Sequence, residues 1–222
     1  DGQSMSTPVF QMPTQLDDIN FDDIKTNFEK DTFLQAVEKV KSHIVNGDIS
    51  QVVLSQRFEQ KISVHGLDIY RVLRVINPSP YLFYLKINDF EVVGSSPEKL
   101  VQVSDNHIEI HPIAGTRRRG KTKKEDEQLA QELLRDEKER AEHLMLVELA
   151  KNEIARVAKQ NSVSVQSLME IGYFSHVMHI ISKVTGTLDV HYSPIDAFIS
   201  AFPAGTLSGS PKRRAMELIK EI

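Results

Sequence analysis

Apolar side chains recur at Phe33, Ala36, Val37, Val40 and Ile44, the spacing of one face of an α-helix. The pattern predicts a helix over residues 32–46, capped by Asp31 and ended by Gly47. A short polar side chain satisfies first-turn N–H groups, and glycine tolerates the left-handed position past a helix end. The period then changes. Residues 51–63 (QVVLSQRFEQKIS) are β-branched and partly alternating, which predicts a strand. A short helix over 67–76 stops at the breaker cluster Asn77-Pro78-Ser79-Pro80. Strands are predicted at 81–87, 90–94, 99–103 and 107–113, joined through Asn88-Asp89, Ser95-Ser96-Pro97 and Asp105-Asn106. Links this short favour an antiparallel meander over parallel crossovers.

The second half reads differently. Residues 116–124 are basic and 125–128 acidic, and a long helix over 125–159 is predicted to break near Asp136. Residues 164–172 give no clear type, 176–188 alternate as a strand, and 194–201 are helical. A small-residue loop, 203–211, leads into a final helix. Strands first and long helices after predict α+β, with helices packed outside antiparallel sheets. Residues 1–25, with Pro8, Pro13 and an acidic cluster, read as a linker or arm, and 26–222 as one domain. The chain starts at Asp1 without Met, and KRRAMELIKEI still reads as helix, so both ends are expected to be cut.

Composition narrows the classes. The 222 residues hold 27 Lys+Arg against 31 Asp+Glu, 40% apolar residues and no cysteine. Disulfide scaffolds, thiolate metal sites and cysteine nucleophiles are thereby excluded. No apolar run reaches the ~18 residues of a membrane span, and no signal pattern opens the chain. A net charge of −4 disfavours a dedicated nucleic-acid binder. The expectation is a soluble cytoplasmic globular protein.

Several residues could carry chemistry. Glu142 shares a helical stripe with Met145, Leu146 and Leu149, and a carboxylate drawn out of water must be paired, metal-bound or protonated. The plain alternative pairs it with Lys138 or Arg140. His176 and His179, three apart in a strand, point to opposite faces, so only one can face a given site. A buried structural histidine is the commoner outcome for either. The loop from Gly205 to Pro211 enters a helix, an arrangement suited to an anion, with Thr206 able to donate its hydroxyl. Its glycine spacing is not that of a Walker loop. Glu98, on a turn after a strand, suits a general acid and equally suits a surface turn. The basic run at 116–124 reads best as a solvated loop. Together these groups fit magnesium chemistry on a small polyanionic substrate.

Seven segments, in order, resemble the chorismate-utilising enzymes, and among them the anthranilate synthase branch. They are GDISQVVLSQRF (47–58), NPSPYLFYLK (77–86), VVGSSPEKLV (92–101), HPIAGTRRRG (111–120), DEKERAEHLMLVELAKNEIARV (136–157), SHVMHIISKVTGTL (175–188) and FPAGTLSGSPKRRAMELI (202–219). The resemblance implies antiparallel sheets stacked as a sandwich with helices outside. It implies Mg²⁺ as cofactor, with Glu142 a metal ligand, Glu98 the acid that protonates the departing C4 hydroxyl, and His179 an assistant later in the reaction. Gly205, Thr206, Ala114, Gly115, Thr116 and Gln51 match substrate-binding positions. Gln51 stands where water-using branches place a lysine base, and Ala114 stands where aminodeoxychorismate synthases often place a lysine nucleophile. That pair is the ammonia-using anthranilate pattern.

The resemblance further implies chorismate as substrate, a glutamine amidotransferase subunit as ammonia source, and tryptophan as inhibitor of the parent enzyme, with no nucleic acid and no membrane. It also predicts several dozen further residues after Ile222, carrying a second acidic metal ligand, so these 222 residues are expected to be inactive or nearly so alone. Rival readings are an aminodeoxychorismate synthase-like enzyme, a zinc hydrolase built on Glu142, His143, His176 and His179, and a non-catalytic partner-binding module. Nucleic-acid binding through Arg117 to Lys124 ranks last.

Overall fold

The computed structural model describes residues 23–174 and 176–222. Its first half runs β1 (Lys25–Thr26), α1 (Lys30–Val45), β2 (Gln51–Val52), β3 (Phe58–Glu59), α2 (Gly66–Ile76), β4 (Tyr81–Ile87), β5 (Phe90–Ser96), β6 (Gln102–Ser104), β7 (His107–Ile110) and β8 (Ile113–Arg118). Its second half runs α3 (Lys123–Arg135), α4 (Glu137–Ala155), β9 (Ser164–Tyr173), β10 (Val177–Thr187), α5 (Pro194–Ala201), α6 (Gly205–Ser208), β11 (Gly209–Ser210) and α7 (Lys212–Glu221). The expected class, α+β with antiparallel sheets and helices packed outside, is the one observed. Most of the arm expected over 1–25 lies outside the described residues.

The main sheet is organised by β10. It pairs with β9 along one side, while β8 and β7 share its other side end to end, and β6 extends the sheet beyond β7. All these pairings are antiparallel. Strand alternation sends Met178, Ile180, Ser182 and Val184 to one face, where each is fully buried. There α4 supplies Val147, Ala150 and Ile154 at helical spacing, α3 supplies Ala130 and Leu133, and α5 adds Ala197 and Ala201. A smaller cluster of Ile49, Ala215 and Leu218 seats α7. Apart from the sheet, β4 and β5 form a hairpin whose turn residue Asn88 takes φ 49°. The ring of Phe83 lies over Gly94 directly opposite it, leaving no room for a Cβ there.

Four local expectations are corrected. Glu29, not Asp31, precedes α1, and Asp31 lies in its first turn. Gly47, at φ 75°, does terminate the helix, with Gly47 N–H bonded to Ile44 and Asp48 N–H to His43. The strand expected over 51–63 is two short pairs, β2 and β3, because its partners are two-residue segments far away in sequence. The basic loop expected from Thr116 begins as the end of β8. Its arginines meet the acidic run on the following helices: Arg117 bonds Glu132 and Asp136, Arg118 bonds Glu125, and Arg119 bonds Asp126. Residues 164–172, which carried no clear pattern, belong to the ten-residue strand β9.

The break expected near Asp136 is present. Asp136 leaves helical geometry at ψ 110°, and its carboxylate accepts from Lys138 N–H and Glu139 N–H, each at 3.1 Å. That cap starts α4, the helix that underlies the site. Among the described residues, no helix is long and apolar enough to cross a membrane.

Candidate active site

Together with Ile110 and Pro112 at the β7–β8 link, three segments line a cavity of about 470 Å3. One is the turn after β5, with Ser96, Glu98 and Lys99. The second is α4, with Leu146, Leu149 and Glu153. The third runs from the end of α5 into α6, from Phe202 through Gly205 and Thr206 to Leu207. Glu98 is fixed by its own turn: Ser96 Oγ accepts from Glu98 N–H at 3.3 Å and donates to Glu98 O at 3.0 Å. Its side chain is half-buried, and burial pushes its carboxyl above the usual carboxylate range. The structure thus brings Glu98, Gly205 and Thr206 to one cavity. A Cβ at Gly205 would fall 1.7 Å from Leu149 Cδ2, so any side chain there has to displace the tip of Leu149. The anion-binding loop expected at 205–211 is in fact the single turn α6 followed by β11.

A second group sits on the main sheet. Register shifts by one residue between His179, opposite Thr116, and Ile180, opposite Ala114, so Gly115 bulges out at φ 66°. His179 Nδ1 lies 2.9 Å from Gly115 O and 3.1 Å from Thr116 Oγ1. A carbonyl oxygen only accepts, so Nδ1 carries the proton and Nε2 of the neutral ring is left as an acceptor. Phe174 packs edge-on against the imidazole at 5.4 Å. His176 is exposed just before β10, while His179 is half-buried.

Glu142 and Gln51 line neither group. Glu142 is exposed and bonds to no described residue, so neither the buried-stripe placement nor the pairing with Lys138 or Arg140 is observed. It stands four residues before Leu146, about 6 Å along α4. Gln51 pairs with Ser210, and its Oε1 is buried without a hydrogen-bond partner. As a metal site, Glu142 offers one unengaged carboxylate. That fits Mg²⁺, which takes one or two carboxylates and keeps waters or substrate oxygens in its remaining positions. No three His, Asp or Glu among the described residues come together as a metal site. The zinc hydrolase reading fails on that, since His143 is fully buried against Ser182 and His179 is held by Gly115.

The buried carboxylate of α4 is Glu153 and not Glu142. The buried face of α4 runs His143, Leu146, Val147, Ala150, Glu153, Ile154. Glu153 is the carboxylate taken out of water: burial raises its pKa, and Lys212 from α7 only partly offsets this. Glu153 stands eleven residues after Glu142, about three turns, so it lies on nearly the same face but further along the helix, where the core covers it.

The profile of the family described as chorismate binding enzyme matches residues 7–222. The chain is 58% identical to anthranilate synthase component 1 of Bacillus subtilis (strain 168) over 203 residues, 91% of this chain and 39% of that relative. It is 51% identical to aminodeoxychorismate synthase component 1 of the same organism, across 88% of this chain and 42% of the relative. Among solved structures, anthranilate synthase component I from Streptococcus pneumoniae TIGR4 superposes with a TM-score of 0.81 at 43% identity, covering 90% of this chain and 44% of that one. The chain spans about two fifths of the length of these curated relatives.

Proposed function

Because the chain belongs to the chorismate binding enzyme family, we propose that it carries part of a site converting chorismate and ammonia to anthranilate and pyruvate. This is the first committed step of tryptophan biosynthesis. The observation that carries the reading is Glu98: a carboxyl raised by burial, in one cavity with Thr206 and with no hydrogen bond of its own to a described side chain. A carboxyl in that condition keeps its proton to higher pH than a surface carboxyl does, as a general acid requires.

In this reading ammonia adds at C2 of the ring, the ring double bonds shift, and the C4–O bond breaks. Glu98 delivers its proton to the departing oxygen, which leaves as water, and Glu98 becomes carboxylate. In the second stage the C2 proton is removed and the C3–O bond breaks, releasing enolpyruvate that becomes pyruvate as the ring aromatises. With its Nδ1–H held by Gly115 O, His179 offers Nε2, the acceptor nitrogen of that tautomer, as the base suited to that proton. Thr206 offers a hydroxyl to a substrate carboxylate. Glu142 would hold Mg²⁺, which supplies positive charge against the substrate carboxylate when bound. Gln51 has no basic nitrogen with which to activate water, which favours ammonia. Ammonia would come from a glutamine amidotransferase partner, and tryptophan would act as inhibitor of the longer protein.

The test is a graft. The matching 203 residues of the Bacillus subtilis relative are replaced by this chain's, and the product formed from chorismate, ammonium and Mg²⁺ is identified. Anthranilate with equimolar pyruvate is expected, and no product would overturn the reading. A 4-amino product would favour the second reading, an aminodeoxychorismate synthase, which the 51% identity to such an enzyme supports. Ala114, unable to attack the ring as a lysine can, weighs against it. The 222 residues alone are expected to show little or no turnover.

A further inference from the structure

We propose that Lys212 and Glu153 are positioning residues, a buried clamp that holds the 202–207 segment as a wall of the cavity containing Glu98. The relevance of the clamp to chemistry rests on the role proposed for Glu98, whereas its mechanics do not.

The clamp joins three helices at one point. Lys212 Nζ, at the start of α7, meets Glu153 Oε1 of α4 and donates to Ala201 O, the last carbonyl of α5, at 3.0 Å. Ser200 Oγ donates to Glu153 O at 2.6 Å, tying the same end of α5 to α4. The wall begins at the very next residue, Phe202, and Lys212 and Glu153 side chains are only 10% and 7% exposed. At its far end the wall is held by neutral bonds: Ser208 Oγ donates to Ala204 O at 3.0 Å, and Val53 N–H to Ser208 O at 3.0 Å. Between these ends Gly205 packs against Leu149, whose side-chain tip occupies the place a Cβ would take.

A buried ion pair gives little net stability, yet removing one partner strands the other charge. Without Lys212, the Glu153 carboxylate faces the cavity uncompensated. Protonation can relieve that charge, but it does not replace the tie: without the ammonium no described side chain joins Glu153 to Ala201 O, the carbonyl at which the wall begins. The pair therefore acts on the position of the wall, and not chiefly on the stability of the whole fold.

The test uses the 222-residue chain and residue-resolved amide hydrogen exchange. In Lys212→Met, the amides of Leu207 and Val53, which bond to Ala204 O and Ser208 O, are expected to exchange about tenfold faster or more. Amides of β10 should keep their rates, and Lys212→Arg should restore the wild-type pattern. Glu153→Gln provides the second variant, with the same local loosening expected. Equal acceleration at all sites in a folded variant, or no acceleration at Leu207 and Val53, would overturn the proposal. So would the failure of both variants to fold, since the pair would then be a requirement of the entire structure. Calorimetric titration with chorismate of the graft described above, in which the rest of the site is present, separates the two readings. Weaker binding in Lys212→Met, restored in Lys212→Arg, is expected. Absence of binding by the wild type would count against the chorismate reading and leave the exchange result standing.

Discussion

The ring of His143 meets the hydroxyl of Ser182 in the interior, Nε2 lying 2.6 Å from Oγ, with both residues fully buried. The same hydroxyl accepts the N–H of Met169 at 2.9 Å. Met169 takes φ 57° within β9, next to the irregularity where that strand passes β10. One oxygen therefore ties α4, β10 and the bulge of β9 together. It also aligns α4, whose next turns present Leu146, Leu149 and Glu153 to the cavity.

Burial holds the His143 pKa down at about 4, from an ordinary 6.5. Between those values the unfolded chain binds a proton that the folded chain refuses, so stability rises with pH across that window. The contribution is complete above pH 6.5 and is lost as pH falls toward 4, with a limit of about 3 kcal/mol. Urea unfolding of wild type and His143→Gln at steps between pH 7 and pH 4 is expected to show a steeper acid loss in the wild type. Equal slopes would mean that His143 is not the group responsible.

Much of this fold was legible because burial leaves a period. The faces of α1, α2 and β10 and the ends of β4 and α5 follow from apolar spacing and breaker residues. Contacts made across long sequence separation were not legible. Nothing local says that Gln51 and Val52 find Ser210 and Gly209, or that Arg117 finds Asp136 across a strand-to-helix turn. The site divided in the same way. Glu98, with Thr206 and Gly205, could be placed by motif, but Glu142 was assigned the burial that belongs to Glu153. Eleven residues bring a helix back to nearly the same face, so the stripe itself is shared, and what periodicity does not reveal is how far along α4 the core covers it.

Gly209 is expected to be intolerant of any side chain. Its φ of 135° is one that other residues avoid, and a Cβ would fall 2.1 Å from the carbonyl oxygen of Gln51. Because that neighbour is backbone, relief requires β2 and β11 to part. Gly209→Ala should cost about 2–4 kcal/mol, read as a lower urea midpoint with an unchanged slope. Gly205→Ala meets only the tip of Leu149, so pairing it with Leu149→Ala should recover part of its loss. A Gly209→Ala variant as stable as wild type would contradict this backbone geometry.

Removing the Glu142 carboxylate tests the metal assignment. Glu142 is exposed and engages no described residue, so Glu142→Gln should leave thermal unfolding unchanged. In the graft it should raise the Mg²⁺ concentration needed for half-maximal anthranilate formation by at least about tenfold. An unchanged Mg²⁺ requirement would remove Glu142 from the metal site.

Glu98 gives the most direct test of the chemistry. An acid must be protonated to act, and burial raises its pKa, so it stays protonated at pH values where an ordinary surface carboxyl has ionised. The rate of the graft should therefore fall as pH rises through that raised pKa, while Glu98→Gln should lower turnover by about 10²–10⁴-fold and abolish that limb of the profile. The amide keeps the size of the side chain, so substrate binding should change little and the loss should appear in kcat. A Glu98→Gln graft that keeps the alkaline limb would assign the limb to another group. A variant with normal turnover would show that the departing oxygen takes its proton from elsewhere.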